Sequence, residues 1–422
     1  MEGNVFDVLR ERGFVYQTTD DEALAALLGK KRVTCYIGFD ATADSLHVGS
    51  LVPIMALMHM QRHGHRPIAL LGGGTTMVGD PSGKTEMRQM LSATQISEFG
   101  KKIQTQFARY LDFSEGKALF LNNADWLLPL NYIEFLRDVG VHFSVNRMLT
   151  VDSVKLRLET GLSFIEFNYM LLQAYDFFVQ ARNYDCELQM GGQDQWGNIV
   201  AGADLTRRKL NKQVYGMTFP LITTTSGEKF GKTAGNAIWL DAGRTPVVDF
   251  YQFFRNADDR DVETYLGLFT LLPMEEVRRL PKQNINRAKE ILAYETTKLS
   301  HGKEAALQAY KAMTTQFGSA DPDGIFKTSS DIVEASSEGA ELPTVVLPAS
   351  LMAQKIWIVK LFVEAGLCGS NGEARRLIQG GGAYVNDKPV VNPELELTSK
   401  DLVEGALVLS SGKKRHKRIV FQ

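Results

Sequence analysis

Cysteine is scarce in this 422-residue chain, and long apolar runs are missing. The three cysteines, Cys35, Cys186 and Cys368, lie far apart and form no Cys-x-x-Cys pair. Their spacing argues against a disulfide framework and against a thiolate zinc site, and it fits a reducing cytosol. The most apolar stretch, residues 51–60, is followed at once by Gln61-Arg62-His63 and is too short to span a bilayer.

Neither sign of charge dominates, since 47 Lys and Arg stand against 49 Asp and Glu. The first 14 residues lack the basic start and apolar core of a secretory signal, so we expect a cytoplasmic protein. Residues 351–422 nevertheless carry 11 Lys and Arg against 7 Asp and Glu, with most of the excess in 413–418. This basic end predicts a module that binds a polyanion; the alternative is a solvated, solubilising tail.

The first part of the chain alternates strand and helix. Residues 32–37 are β-prone, residues 51–63 have a helical composition, and residues 67–71 form a second apolar strand before three glycines. This strand–helix–strand order predicts a parallel sheet with a right-handed crossover. Ligands bind such sheets beyond the carboxyl ends of the strands, which in this chain are the loops 38–50 and 72–85.

Two glycine-containing segments approach common phosphate loops without matching them. Segments 79–85 and 227–233 both end in Gly-Lys-Thr, but each has three residues between its glycines where a P-loop has four. In segment 72–77, Met77 occupies the place of the third glycine of a dinucleotide-binding loop. The spacing therefore excludes a P-loop RNA-dependent ATPase.

Two weaker patterns remain. His47-Val48-Gly49-Ser50 lies at the start of the helix after the first strand, where free N–H groups attract phosphate and His47 can donate to it. A loop histidine is more often a surface or packing residue. Lys229 and Lys232 lie three apart in a polar loop that we expect to be mobile, and together they could clamp a developing pyrophosphate charge. The alternative is a solvated basic turn.

A capping box at Ser163 and Glu166 predicts the start of a helix. Helical spacing places Tyr169, Gln173 and Asp176 on one face, opposite an apolar face, in a segment without Lys or Arg. A phenol, an amide and a carboxylate on such a helix suit a small polar ligand that is itself partly aromatic. The alternative is an amphipathic helix with a solvated stripe.

Together these segments resemble a known family. GFDATADSLHVGS and the later KFGKT resemble the paired HIGH and KMSKS motifs of class I aminoacyl-tRNA synthetases. YIGFDATADSLHVGSL, GDPSGK, NYMLLQAYD, QMGGQDQWGN and FGKT, in this order, resemble the bacterial-type tyrosyl-tRNA synthetase family over nearly the whole chain. Two positions depart from the family pattern: Ser50 stands where a second histidine is usual, and Gln193 stands where serine is frequent.

The resemblance implies a two-step reaction: L-tyrosine and ATP give tyrosyl-adenylate and pyrophosphate, and the tyrosyl group then moves to the 3′-terminal adenosine of tRNA(Tyr). It implies ATP as a substrate, Mg²⁺ accompanying ATP without a dedicated protein metal site, and a homodimer. One rival is an RNA-binding protein that has lost catalysis; the intact His47, Asp80 and Lys229 argue against it. The other rival is a tryptophanyl enzyme, against which the pairing of Tyr36 with Asp176 argues.

The resemblance also assigns site residues. It places tyrosine against Tyr36 and Asp176 at the phenolic hydroxyl, Asp80, Tyr169 and Gln173 at the ammonium group, and Gln195 near the carboxylate. It places ATP against Gly38, Asp40, His47, Gly49, Ser50, Gly192, Asp194, Lys229, Lys232 and Thr233, of which His47, Lys229 and Lys232 are the catalytic residues. It places tRNA against Lys84, Arg88, Arg375, Arg376, Lys413, Lys414 and Arg415.

The expected fold class is α/β, with three domains and a linker. We expect residues 1–246 to form a Rossmann-like parallel-sheet catalytic domain, in which the resemblance implies the dimer interface. We expect residues 247–317 to form an α-helical domain, which the resemblance places on the anticodon side of the tRNA. Residues 318–350, rich in Ser, Gly, Asp and Pro, are a linker with room for one short element. Residues 351–422 are a small α+β RNA-binding module, because LFVEAGLCGSNGEARRLIQGGGAYVNDKPV resembles a module shared with a ribosomal protein.

Overall fold

The chain divides into two compact units, residues 1–306 and 307–422. The computed structural model describes residues 3–82, 91–223, 230–233, 236–333, 344–349, 351, 355–386, 388–403, 405–412 and 415–421. Within these ranges, no helix combines the length and the hydropathy that crossing a bilayer requires.

Helices outnumber strands along the part of the chain that the structure describes. In chain order, the helices are α1 (Val5–Glu11), α2 (Asp21–Lys30), α3 (Leu51–Arg62), α4 (Ala93–Phe107), α5 (Ala124–Leu127), α6 (Tyr132–Asp138), α7 (Val145–Met148), α8 (Asp152–Thr160), α9 (Phe164–Phe167), α10 (Tyr169–Asn183), α11 (Trp196–Leu210), α12 (Val247–Arg255), α13 (Val262–Phe269), α14 (Met274–Gln283), α15 (Ile285–His301), α16 (Lys303–Phe317), α17 (Ile358–Glu364) and α18 (Asn371–Gln379). The strands are β1 (Gln17–Thr18), β2 (Thr34–Phe39), β3 (Arg66–Leu71), β4 (Leu119–Asn122), β5 (Cys186–Gly192), β6 (Tyr215–Phe219), β7 (Lys232–Thr233), β8 (Asn236–Ala237), β9 (Thr344–Leu347), β10 (Ile356–Trp357), β11 (Ala383–Val385), β12 (Lys388–Pro389), β13 (Glu396–Leu397), β14 (Ala406–Ser411) and β15 (Arg415–Phe421).

A six-stranded sheet forms the centre of the first unit, in the order β1-β6-β5-β2-β3-β4. Strands β6, β5, β2, β3 and β4 pair in parallel, and the short edge strand β1 is antiparallel to β6. Strands β2 and β3 and helix α3 form the predicted strand–helix–strand unit. Nine of the twelve residues of α3 are buried, which accounts for the apolar composition of this helix. The predicted α/β fold with a parallel sheet is confirmed.

Helices α12 to α15 belong to the same compact unit as the sheet, whereas the sequence predicts a domain boundary at 246/247. Buried hydrogen bonds give the physical reason. The Arg12 guanidinium, just after α1, donates to the carbonyl oxygens of Gly267 (3.0 Å) and Thr270 (2.9 Å), and also to that of Leu272. These bonds tie the N-terminal segment to the end of α13, and so join two regions that the sequence suggested were separate.

The helix predicted from Ser163 onward is interrupted. The capping box is present, with the Ser163 hydroxyl bonded to the Glu166 N–H and the Glu166 carboxylate bonded to the Ser163 N–H. Helix α9 nevertheless ends at Phe167, because the Asn168 side-chain amide donates to the Phe164 carbonyl oxygen (2.7 Å) and occupies that helix end. Helix α10 then begins at Tyr169.

The second unit contains a five-stranded sheet in the order β12-β11-β14-β15-β9, together with α17 and α18. Strand β9 pairs in parallel with β15. It lies inside the range 318–350, which we predicted to be a linker with room for one short element. The predicted helix before Gly380 is α18, and the predicted hairpin after it is β11–β12, with Asn386 at φ +47° in the turn. The small α+β region is confirmed.

Candidate active site

A cavity of about 590 Å³ lies at and beyond the carboxyl ends of strands β2, β3 and β5. This is the position that a parallel sheet favours for a ligand, and the volume suits a small-molecule site. Its lining includes eleven of the predicted site residues: Tyr36, Gly38, Asp40, His47, Asp80, Tyr169, Gln173, Asp176, Gly192, Asp194 and Gln195. These residues come from five separate segments of sequence, and the fold brings them together.

A buried carboxylate occupies one end of this cavity. Asp176, on α10, is 2% exposed and accepts hydrogen bonds from the Asn123 side chain (2.9 Å) and the Trp126 indole N–H (2.7 Å). Burial raises the pKa of Asp176 to about 7, although these two bonds favour the charged form. An ionisable group held at this pKa in a cavity is characteristic of a functional site.

Tyr36 lies in the same part of the cavity and is 1% exposed. Its hydroxyl has no hydrogen-bond partner among the residues that the structure describes. Burial raises the pKa of this phenol well above its usual range, and the negative charge of Asp176 raises it further, so the hydroxyl stays protonated. A buried polar group without a partner is costly, so a ligand that supplies one gains affinity at this position.

Asp80 and Gln195 form a second polar cluster in the cavity. The Asp80 carboxylate accepts from the Gln195 side-chain amide (2.7 Å) and from the Ser82 backbone N–H (2.9 Å). Burial raises the pKa of Asp80 to about 6, and the negative charge of Asp40 contributes to the shift. A bound ammonium group would stabilise this carboxylate by supplying the missing positive charge.

The amides around this cluster are hydrogen-bonded to one another. The Asn198 side chain, on α11, donates to the side-chain oxygens of Gln173 (3.0 Å) and Gln195 (3.2 Å). Tyr169 points its hydroxyl toward the Asp40 carboxylate at 3.5 Å, the outer limit of a hydrogen bond. These hydrogen bonds fix the orientation of side-chain amides that would otherwise rotate.

His47 caps a short 3₁₀ helix, Val48–Ser50, that leads into α3. Its ring Nδ1 accepts from the Gly49 backbone N–H at 3.0 Å, which in the neutral ring places the proton on Nε2 as a donor. A Cβ at Gly49 would lie 2.7 Å from the His47 ring, so any larger residue would displace this ring. Ser50 makes no side-chain cap bond, and neither Gly49 nor Ser50 lines the cavity. The side-chain cap at the start of this helical segment therefore comes from His47 and not from Ser50.

The two motifs singled out in the sequence pack against each other. Gly231 has φ +89°, and a Cβ on it would lie 2.8 Å from the Val48 side chain and 3.3 Å from the Gly49 nitrogen. The Val48 N–H donates to the Ile238 carbonyl oxygen (2.9 Å), and the Ile238 N–H donates to that of Gly231 (3.1 Å). Two segments about 180 residues apart in sequence thus pack into one wall, and His47 on this wall lines the cavity.

Several predicted residues lie outside the described ranges, namely Lys84, Arg88, Lys229, Lys413 and Lys414. The backbones of Lys232 and Thr233 form β7, paired with β8, and the backbone of Arg415 begins β15; their side chains are not described. In the second unit, Arg376 is exposed on α18. Its neighbour Arg375 forms an ion pair with Glu394 (3.0 Å) and stacks over Trp357 (5.0 Å).

A second cavity, of about 510 Å³, lies on the other side of the Gln193–Gln195 turn. Apolar side chains such as Met148, Val151 and Trp196 dominate its lining, and Asp194 is its one predicted site residue. Gln193 faces this cavity and not the first, and its side-chain oxygen accepts from the Leu221 N–H (3.1 Å). Gln193, which departs from the family pattern, therefore holds the backbone at Leu221 through this hydrogen bond.

Sequence reasoning missed Asn123 and Trp126. They follow strand β4 at its carboxyl end, on the same edge of the sheet as the cavity. The rule that ligand-binding residues follow parallel strands could have drawn attention to the segment Asn122-Asn123-Ala124-Asp125-Trp126.

Two known families match this chain, one over its longer first part and one over its C-terminal part. The family described as tRNA synthetases class I (W and Y) matches residues 29–318. The chain belongs to the class I tRNA synthetases of the tryptophan and tyrosine group. A second family, described as the tyrosine–tRNA ligase SYY-like C-terminal domain, matches residues 336–419 of this synthetase. The family predicted from the motifs is confirmed.

Curated relatives match this synthetase over its whole length. The tyrosine–tRNA ligase of Desulfosudis oleivorans is 54% identical over 429 residues, 99% of each chain. That of Caldanaerobacter subterraneus subsp. tengcongensis is 50% identical over 422 residues, 99% of this chain and 100% of the relative. Among solved structures, a C-terminally truncated mitochondrial tyrosyl-tRNA synthetase from Aspergillus nidulans is 32% identical, with a TM-score of 0.68 over 75% of this chain and 95% of that chain.

Proposed function

We propose that this synthetase is a tyrosine–tRNA ligase, which joins L-tyrosine to tRNA(Tyr) with ATP. The observation that carries the choice of amino acid is the pair formed by Asp176, fixed by two donors, and the Tyr36 hydroxyl, which lacks a partner in the described structure. A bound phenol donates its O–H to the carboxylate and accepts from the Tyr36 hydroxyl. Both buried groups are then satisfied.

Two related amino acids satisfy this pair less well. Phenylalanine leaves the Tyr36 hydroxyl without a partner and adds no donor to Asp176, and an unsatisfied buried group costs about 1–3 kcal/mol. Tryptophan has an indole N–H that can donate to Asp176, but it has no oxygen to accept from Tyr36. Pocket chemistry therefore favours tyrosine over both.

The rest of the cavity fits the α-amino and carboxylate end. Asp80, with its pKa raised by burial, binds the ammonium group together with Tyr169 and Gln173. Gln195, which already donates to Asp80, lies beside the substrate carboxylate. Gly38, Asp40, Gly192 and Asp194 line the side of the cavity that takes the adenosine.

In the first step, the tyrosine carboxylate attacks the α-phosphorus of ATP, which enters as its Mg²⁺ complex, and pyrophosphate leaves. The reaction needs no protein nucleophile, so catalysis comes from positioning and from positive groups around the departing phosphates. His47 donates from one side through Nε2, and Lys229, Lys232 and Thr233 act from the other. Gly49 allows the close backbone approach at this wall.

In the second step, a terminal-adenosine hydroxyl of the tRNA takes the tyrosyl group and AMP leaves. We assign the helices within 247–317 to the anticodon side of the tRNA and the module 351–422 to RNA binding. Lys84 and Arg88 act at the phosphates or the tRNA end. In the second unit the contacts with RNA come from Arg375, Arg376, Lys413, Lys414 and Arg415. The protein acts in the cytoplasm, where its tRNA is charged.

The active form is a homodimer. Ten of the nineteen exposed large apolar side chains among the described residues fall within 128–165, including Val141 (72%) and Phe164 (71%). Such a concentration is typical of a surface that a partner covers. Phe164→Asp should produce monomers in sedimentation equilibrium, whereas Phe317→Asp, a control at a phenylalanine that is 63% exposed, should not. A Phe164 variant that stays dimeric places the interface elsewhere.

Charging of tRNA tests the whole proposal. The purified chain, ATP, total bacterial tRNA and one radiolabelled amino acid at a time should give acid-precipitable product with tyrosine, and about equal amounts of AMP. Charging with tryptophan in place of tyrosine would assign the synthetase to the other branch of its group. Adenylate formation without any charging would indicate that the tRNA assignments are wrong.

A further inference from the structure

Phe230 lies at the centre of a cluster of aromatic side chains. It is 5% exposed, and its ring centroid lies 5.0 Å from Tyr265, 5.1 Å from Phe269, 5.3 Å from Phe253 and 6.2 Å from Phe254. The Phe269 ring is stacked at 11°, and the Tyr265 and Phe253 rings are edge-on. Offset-stacked and edge-on geometries are the favourable arrangements of aromatic pairs.

All four partners of Phe230 come from helices α12 and α13. The residue therefore belongs by sequence to the segment that carries Lys229 and Lys232, and by packing to the helical part of the first unit. Phe254 also contacts Phe253 and Phe269, so the cluster is a rigid seat for one inserted ring.

The backbone next to this ring is held from the opposite direction. The Phe230 N–H donates to the Ile222 carbonyl oxygen (3.2 Å), and Gly231 packs on Val48 and Gly49 beside His47. Phe230 and Gly231 thus connect the helical seat with the wall that carries the histidine. Lys229 directly precedes Phe230 in the sequence and Lys232 follows it by two residues, so both lysines are attached to this fixed backbone.

We propose that Phe230 is a positioning residue, and that its insertion between α12 and α13 sets where Lys229 and Lys232 act on the phosphates. The inference rests on the proposed function of these lysines. It predicts that packing inside the helical region controls the chemical step, although none of the seat residues lines the cavity. A small displacement of a group that binds the transition state is enough to slow a reaction greatly.

The test compares three phenylalanine-to-leucine variants of the full chain. Phe230→Leu removes the inserted ring, and Phe269→Leu removes its stacked partner. Phe250→Leu is the matched control, because Phe250 is 0% exposed on α12 but makes its ring contacts with Phe254 and His301. The measurements are the single-turnover rate constant of adenylate formation, the tyrosine Kd and the thermal midpoint.

Phe230→Leu should lower the rate constant by about 10- to 100-fold and leave the tyrosine Kd within about twofold. Phe269→Leu should lower it by less, and the double variant should be no slower than Phe230→Leu alone, because both changes remove the same contact. Phe250→Leu should lower the thermal midpoint and leave the rate constant unchanged. If Phe230→Leu does not fold, Phe230→Met and the Phe269→Leu single variant carry the same comparison.

Two outcomes would overturn the inference. One is a Phe230 variant whose rate constant stays within about twofold of the parent. The other is a Phe250 control that slows the chemical step as much as Phe230→Leu, since the effect would then come from general packing. A parent protein that forms no tyrosyl-adenylate would instead refute the proposed function.

Discussion

Replacing Asp176 with asparagine tests two properties of this buried carboxylate. One is its part in the selection of tyrosine, and the other is its effect on the stability of the ligand-free enzyme. The amide keeps the size of the side chain but loses the charge, and it can accept from only one of the donors Asn123 and Trp126. A hydrogen bond to a charged group contributes about 1.5–3 kcal/mol. We therefore expect the preference for tyrosine over phenylalanine to fall by about 10- to 150-fold in Asp176→Asn.

The same substitution should change how stability depends on pH. Burial raises the pKa of Asp176 from the ordinary 3.8 to about 7, a difference worth about 4 kcal/mol. Because the folded pKa lies above the unfolded one, this contribution is fully present below about pH 4 and is lost as the pH rises through about 7. The unfolding free energy of the parent should therefore fall relative to Asp176→Asn by about 3 kcal/mol between pH 5 and pH 8.

The assay is a set of unfolding curves for the two proteins at matched pH values without ligand, together with pyrophosphate exchange for both amino acids. Asp125→Asn is the control, because it makes the same charge change at an exposed residue next to Trp126. It should follow the parent at every pH. If Asp176→Asn keeps the parent's amino-acid preference, or if the two stability curves run parallel from pH 5 to pH 8, the assignment of a buried, tyrosine-reading carboxylate is wrong.

Other parts of the site make separate predictions. Lys229→Ala or Lys232→Ala should slow adenylate formation by about 10²-fold in single turnovers with tyrosine affinity unchanged; weaker binding with unchanged chemistry would contradict their role. Asp80→Asn should weaken binding of tyrosine far more than binding of its analogue without the amino group, and equal losses would exclude an ammonium contact. A chain ending at Gly318, ahead of strand β9, should keep tyrosine-dependent pyrophosphate exchange and lose tRNA charging. Neutralising the basic residues of 413–418 should flatten the salt dependence of tRNA binding, whereas an unchanged slope would mark a solubility tail.

Local patterns in the sequence were sufficient to predict the strand–helix–strand unit, because its strands are apolar runs and its helix begins at a motif. They also identified the cavity residues of α10, since helical spacing alone places Tyr169, Gln173 and Asp176 on one face. These features depend on neighbours within a few residues along the chain. The resemblance supplied the remaining residues, and the fold brings them to one cavity.

Features that depend on distant parts of the chain were not predictable in this way. Asn123 and Trp126 meet Asp176 across about 50 residues of sequence, and their place after a parallel strand marks the segment without identifying Asp176 as its partner. Strand β9 is a strand because β15 lies beside it. In the sequence, Phe230 belongs to a polar loop, and its burial follows only from the packing of α12 and α13 around its ring.

Pyrophosphate exchange with each of the twenty amino acids is the most direct test of what this cavity selects. The purified chain, supplied with ATP, Mg²⁺ and labelled pyrophosphate, should form labelled ATP with L-tyrosine and give only background with phenylalanine and tryptophan. Exchange that is equal for tyrosine and phenylalanine, or that is greatest for tryptophan, would contradict the assignment of Tyr36 and Asp176 to the phenolic hydroxyl.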